Sequence, residues 1–176
     1  MTTRMIPGVL AELARAGEEG LSPSPDPVFR REIDLCRAWG FRIRADSGRV
    51  RLEYDREQLV PRWIAEETPA LAWPRLDVRG FLSCGSTNTE AYALAEQGAA
   101  SGTLVFAETQ TGGRGRHGRV WHSPAGTGLY CTLVLRPRQP AEFWPLLALA
   151  ASVALADALR ELPARHGIAR PPDPDL

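Results

Sequence analysis

The chain of 176 residues contains no lysine: all 21 of its basic side chains are arginine, so any ammonium group that a mechanism requires must come from outside these residues. It also lacks a surplus of either charge, with 21 bases against 21 acids and a pI near 6.8. Proteins that coat nucleic acid or lie on an anionic membrane depend on excess cation, so this balance argues against both and leaves room only for local basic clusters. Cysteine is scarce. Cys36, Cys84 and Cys131 are odd in number and widely spaced, with no C-x-x-C pair and no histidine at ligand spacing. They read as buried small hydrophobes in a reducing compartment. No long apolar stretch follows Arg4, because Pro7, Gly8, Glu12 and Arg15 interrupt it, and a signal peptide is not expected. The most apolar run, Phe143 to Leu159, is alanine-rich and closed by Asp157, Arg160 and Glu161, which suits a buried helix better than a membrane span.

What is present fits one domain of ordinary size, or one domain plus a small appendage. Val9, Leu10, Leu13 and Ala14 recur at helical spacing, and Gly17 and Gly20 end that helix before a loop, Ser22-Pro-Ser-Pro-Asp-Pro27. Asp26 as N-cap and Pro27 at the first helical position then open a second helix, with Phe29, Ile33, Leu35, Cys36 and Trp39 on a broad apolar face and Gly40 at its end. Phe41 to Ile43 and Val50 to Leu52, separated by Ala45-Asp-Ser-Gly48, read as a β-hairpin. Helix, loop, helix, hairpin is the order of a winged helix, placed at residues 1–60. Pro61 limits the following stretch to short helical pieces, and a linker is expected over 61–75. From Leu76 onward the texture is that of a sheet with helices packed on it. Leu76 to Leu82, Thr103 to Ala107 and Gly128 to Leu135 read as strands, and Thr87-x-x-Glu90 as a capping box opening a helix to Gly98. A further helix runs from about Glu142 to Leu162, where Pro163 marks its end. The fold class expected is α+β.

Between two strands lies Glu108-Thr-Gln-Thr-Gly-Gly-Arg-Gly-Arg-His-Gly-Arg-Val-Trp121. Arg114, Arg116 and Arg119 are interleaved with glycines, and no acid occurs from Thr109 to Leu135. Guanidinium groups grip phosphate and carboxylate oxygens through paired N–H donors, and glycines let backbone amides approach the same anion. Such a loop is built for anions, and its glycine content predicts that it orders over ligand. It is neither a P-loop nor a dinucleotide fingerprint. An Arg/Gly run is also the composition of an RNA-binding tail, but this one is flanked by apolar strands and sits inside a domain.

Gly113-Arg-Gly-Arg-His-Gly-Arg119-Val-Trp121 is preceded by Ser86-Thr-Asn88 and Glu108-x-Gln110 and followed by Ser123-Pro-x-Gly126 and Leu129-Tyr130. The set resembles the catalytic domain of bacterial biotin-protein ligases, over roughly Phe81 to Leu162, and the N-terminal helices and hairpin resemble the arrangement of ligases that double as repressors. The resemblance implies a class II synthetase-like mixed sheet. It implies a reaction in which biotin's carboxylate attacks the α-phosphate of ATP, Mg²⁺ helping to offset charge, to give biotinyl-5′-AMP. A lysine of a biotin carboxyl carrier protein then attacks the mixed anhydride. It further implies that Ser86, Thr87, Asn88 and Gln110 bind or flank biotin and that Arg114, Gly115 and Arg116 hold carboxylate and phosphate. Arg116 matches the position that retains the adenylate, and Arg119 joins Arg114 and Arg116 as catalytic. Trp121 is expected to pack under the loop, Tyr130 to be structural, His117 an electrostatic variant, and His122 and His166 to be surface residues. The implied setting is cytoplasmic, with no membrane, no protein-held metal and a homodimer left open.

The chain also departs from the pattern. Family members continue into a K-W-P-N-D motif, where this sequence reads Ala164-Arg-His-Gly-Ile-Ala-Arg-Pro-Pro-Asp-Pro-Asp-Leu176, whose prolines cannot form a central strand. A catalytic domain represented by its N-terminal part, 76–176, from an interrupted reading frame, is the expectation. Residues 1–60 hold ten arginines and ten acids, so weak or no DNA binding is expected. A biotin-sensing regulator without catalysis and an inactive fragment are the alternatives.

Overall fold

A computed structural model describes residues 4–53, 59–61, 64–65 and 76–166, with the side chains of Arg4, Arg116 and residues 162–166 outside that description. Most of the expected linker, 61–75, lies outside the described residues. The architecture is α+β. The chain divides into two compact units, Met1–Leu135 and Arg136–Leu176.

In the first unit, strand β1 (Arg4–Met5) leads into helix α1 (Gly8–Ala16), a turn of 3-10 helix (Gly17–Glu19) and helix α2 (Pro27–Ala38). Asp26 caps α2 as its residue type predicts, accepting from the Val28 N–H at 2.8 Å. Helix α1 has no side-chain cap of its own, and Glu32 of α2 supplies one, accepting from the Val9 N–H at 3.0 Å. Strands β2 (Ile43–Asp46) and β3 (Arg49–Leu52) pair antiparallel across a two-residue turn in which Ser47 and Gly48 both have positive φ, 46° and 70°. That backbone matches the right-handed twist of the flanking strands, so the strands run closer to the turn than the sequence suggested. Val9, Leu10, Leu13, Ile33, Cys36, Phe41, Ile43, Val50, Leu52 and Val60 form one buried cluster, and Leu82 belongs to it as well.

Leu82 lies on strand β4 (Asp77–Ser83) of a four-stranded sheet, order β1-β4-β5-β8, with β5 at Thr103–Ala107 and β8 at Tyr130–Leu133. The β4–β5 pair is parallel and the others antiparallel. Side chains alternate across a strand, so adjacent Phe81 and Leu82 enter different cores. Phe81 joins Cys84, Val105, Ala107 and Val134 under helix α3 (Thr87–Glu96), which contributes Ala91, while Leu82 packs with the N-terminal helices. The stretch expected to be a long glycine-rich loop forms instead a second hairpin, β6 (Gln110–Arg114) and β7 (Val120–Ser123), joined by a 3-10 turn at Arg116–Gly118.

The second unit is a 3-10 turn (Ala141–Phe143) and helix α4 (Pro145–His166). The helix passes through Pro163 rather than ending there: near a helix terminus a proline removes a single ladder bond, and the last turn is kept. Within this unit Leu146, Leu149, Val153, Leu155 and Leu159 are all more than half exposed, so the unit's own described residues do not supply the burial expected for the helix. Among the described residues, Ala141–Glu161 is one helical stretch long and apolar enough to cross a membrane by length and composition.

Cys36 and Cys84 are buried as expected, but Cys131, on edge strand β8, is exposed. Burial, with Glu32 nearby, pushes the Cys36 thiol up to about 12, and burial with Glu90 nearby pushes Cys84 up to about 11. Above the ordinary thiol value of 9.0 the unfolded chain has lost protons that the native chain retains. Stability is therefore fully present below pH 9 and falls as pH climbs toward 12. With no lysine to titrate in that range, Cys36→Ala should visibly flatten the decline in urea midpoint between pH 9 and 11. Leu82→Ala should cost ~3 kcal/mol in urea denaturation, because the leucine is fully buried between the sheet and the helices.

Candidate active site

Helix α3 begins at Thr87, and its N-cap is Ser86, whose side chain makes no capping bond. The expected Thr87-x-x-Glu90 capping box is therefore not formed, because Thr87 is the first helical residue and not the N-cap. The donor left over is satisfied from another strand: Gln110 Oε1 accepts from the Thr87 N–H at 2.8 Å and from the Thr87 hydroxyl at 3.2 Å. Gln110 Nε2 in turn donates to Ser123 Oγ at 3.2 Å, and the Ser123 hydroxyl donates to the Trp121 carbonyl at 3.4 Å. On the other side of Thr87, Thr132 Oγ1 lies 3.0 Å from both Thr87 Oγ1 and Asn88 Oδ1, and its single proton can serve one of them at a time.

The hairpin that carries Gln110 is fastened to the end of β4. Thr111 and Gly112 donate their N–H groups to the carbonyls of Cys84 and Gly85 at 2.9 and 2.7 Å, and the Cys84 N–H donates to the Thr109 carbonyl at 3.2 Å. The two strands of the hairpin lie close enough that a Cβ on Gly113 would sit 2.7 Å from the Trp121 carbonyl oxygen and 3.1 Å from Ser123 Oγ. Glycine is needed at Gly113 for close approach rather than for flexibility. The tip closes through the Gly115 N–H donating to the Arg119 carbonyl at 2.8 Å, with His117 and Gly118 both at positive φ.

These elements surround a hollow of about 230 Å³ lined by Ser86, Thr87, Asn88, Gln110, Arg114, Trp121, Leu129, Tyr130, Cys131 and Thr132. Of the residues singled out from sequence, Ser86, Thr87, Asn88, Gln110 and Arg114 are thus brought to one wall. Arg114 is oriented there by Nη2 donating to Thr89 Oγ1 at 2.8 Å. Gly115 and exposed Arg119 lie at the hairpin tip, and the Arg116 backbone is in the same turn, its side chain outside the description. Trp121 does not pack beneath the loop: it is 60% exposed and forms part of the wall. Tyr130 is half-buried, and its hydroxyl lies 3.0 Å from the Pro124 carbonyl. His122 is exposed, as expected.

Thr132 and Thr89 were not singled out from sequence, and Ser123 entered only as part of the Ser123-Pro-x-Gly126 motif, with no role given to it. Thr132 alternates with Cys131 and Leu133 on a strand, the one signal that could have turned it toward the helix α3 face. Glu108, at the end of β5, is half-buried, and burial raises its carboxyl above the usual range. A larger cavity, of about 470 Å³, lies between α1 and the β2–β3 hairpin. Its charged groups are engaged with one another, Arg44 with Asp46 at 2.8 Å and Arg51 with Asp46, so the smaller polar hollow is the better candidate for chemistry. Among the described residues no cluster of three or more His, Cys, Asp or Glu side chains could hold a metal ion.

Residues 82–172, just over half of the chain, match the biotin/lipoate A/B protein ligase family. A bifunctional ligase/repressor BirA of Bacillus subtilis is 47% identical over 76 residues, covering 43% of this chain and 23% of that protein. A biotin--[acetyl-CoA-carboxylase] ligase of Mycobacterium tuberculosis is 35% identical over 134 residues, covering 73% of this chain and 48% of that protein. The Escherichia coli BirA is 40% identical over 62 residues, covering 35% of this chain and 19% of that protein. The chain thus spans between about a fifth and a half of the length of these relatives. With its matched segment running from β4 through the arginine hairpin and beyond, the chain belongs to the biotin/lipoate A/B protein ligase family.

Proposed function

We propose that the chain carries the biotin side of a biotin-protein ligase site: biotin binds in the hollow at the N-terminus of α3, and the arginine hairpin holds its carboxylate against the α-phosphate of ATP. The observation that carries this reading is the convergence of Ser86, Thr87, Asn88, Gln110 and Arg114 on one hollow of about 230 Å³. Hydroxyls and amides of that kind suit a neutral ureido ring, and the largely exposed Leu129 and Trp121 are the large apolar residues beside it. The first step sets a carboxylate against a polyanion. Arg114, Arg116 and Arg119 would neutralise both partners and stabilise charge gathering on the phosphorus oxygens, with backbone amides of the tip, Gly115 among them, beside them. Attack gives biotinyl-5′-AMP and pyrophosphate, and a carrier-protein lysine then displaces AMP. Enclosure by the tip would protect the anhydride from water.

The described residues do not form a carboxylate cage for Mg²⁺, and no acid occurs from Thr109 to Leu135, so no step is assigned to a protein-held metal. Residues 1–60 are read as a winged-helix relic and 76–176 as catalytic-domain sequence, acting in the cytoplasm on a biotin carboxyl carrier protein. Arg37, Arg44 and Arg51 each engage an acid within their own domain, which supports weak or no grip on DNA phosphates. The alternative reading is a biotin or biotinyl-AMP sensor that does not itself turn over.

Purified full chain incubated with biotin, ATP and hydroxylamine should yield biotinyl hydroxamate, and calorimetry should register biotin binding. Binding without hydroxamate would support the sensor, and neither would leave the inactive fragment. Arg114→Ala should weaken a non-hydrolysable biotinyl-adenylate analogue roughly 10- to 100-fold, the usual weight of a charge-assisted hydrogen bond. Unchanged affinity would remove Arg114 from the site.

A further inference from the structure

The polar chain that runs from Thr87 through Gln110 and behind the wall of the hollow to Ser123 has a single consistent direction. At one end stands the Thr87 N–H, which can only donate; at the other stands the Trp121 carbonyl, which can only accept. The Gln110 carboxamide must therefore turn Oε1 toward Thr87, because Nε2 there would set donor against donor. Nε2 then requires an acceptor, and Ser123 Oγ is that acceptor at 3.2 Å, its own proton directed to the Trp121 carbonyl at 3.4 Å. Ser123 is 2% exposed, so water does not substitute for it.

We propose that Ser123 is a positioning residue for the site, a hydroxyl that holds the Gln110 amide in one orientation and so decides which group Gln110 offers to the ligand. Two donors from Thr87 occupy Oε1, and one Nε2 hydrogen is committed to Ser123. The second Nε2 hydrogen is what Gln110 presents to the hollow it lines. The ligand atom that meets it is an acceptor, such as a carbonyl oxygen, and a ligand placing an N–H at that wall is rejected. Without the hydroxyl the amide keeps its bond to Thr87 but rocks about χ3, and the second hydrogen is no longer aimed.

The identity of the ligand rests on the biotin reading, whereas the orientation of the amide does not. The test therefore has two readouts on the full-length chain. In the ligand-free protein, the Gln110 side-chain amide protons followed by ¹⁵N NMR should exchange with solvent about tenfold faster in Ser123→Ala than in wild type, and Ser123→Thr, which keeps the hydroxyl, should restore slow exchange. In calorimetry with biotin, Ser123→Ala should bind roughly tenfold more weakly, with Ser123→Thr recovering part of the loss, as expected for the alignment of one hydrogen bond. Exchange unchanged in Ser123→Ala, or biotin affinity equal to that of wild type, overturns the positioning role. Wild-type chain that binds no biotin sinks the biotin reading, and amide exchange then decides the role of Ser123.

Discussion

The site depends on the hydrogen bond from the Thr87 N–H to Gln110 Oε1. A helix that starts with an idle cap leaves amide donors exposed to whatever stands in front of them, and here one of them is bound by a side chain 23 residues further along. That single contact joins the start of α3 to the start of β6. The same device opens the chain, where Glu32 caps α1 through the Val9 N–H. In both cases the local sequence does not finish the helix, and tertiary structure does.

Fastening Gln110 there has consequences for the arginines. Because Thr111 and Gly112 bond to the carbonyls of Cys84 and Gly85, the hairpin leaves the end of β4 at a set place, and Arg114 emerges shortly after, beside Thr89. The hairpin is tight only because Gly113 has no side chain to meet the Trp121 carbonyl. Glycine therefore does two different jobs in one short segment: at Gly113 it permits strand contact, and at Gly118 it permits the positive φ of the tip. The base of this arginine hairpin is ordered β-structure, and the expectation of closure over ligand narrows to the few residues at its tip.

How far the sequence revealed this follows the range of the forces involved. Asp26-Pro27 opening α2 and the apolar run Thr103 to Ala107 are local signals, and both were legible. The gathering of Ser86, Thr87, Asn88, Gln110 and Arg114 was reached through motif resemblance, not through periodicity. The β6–β7 hairpin was missed because glycine and arginine carry no strand propensity, and its pairing is imposed by β4. Thr132 was missed because strand alternation alone does not mark a single hydroxyl, and Ser123 entered only inside the Ser123-Pro-x-Gly126 motif, with no role of its own. Trp121 and Cys131 were misjudged by residue type, since burial statistics describe an average tryptophan or cysteine and not one placed at a pocket rim or a sheet edge.

Strand β4 ties the parts of the first unit together. Phe81 is held in the core under α3 and Leu82 in the core of the N-terminal helices, and two residues further on the strand delivers Cys84 and Gly85, the carbonyls that anchor the hairpin. Strand β1, from the start of the chain, pairs with the same strand at Phe81 and Ser83. A displacement of the N-terminal helices would pull on Leu82, and the backbone that moves with it is the backbone that places the hairpin. Close packing transmits such a shift instead of absorbing it. Arg44 and Arg51 of that N-terminal part are engaged by Asp46, while its leucine-rich core reaches into the sheet. Its physical contribution to the site is therefore mechanical support of β4 rather than charge.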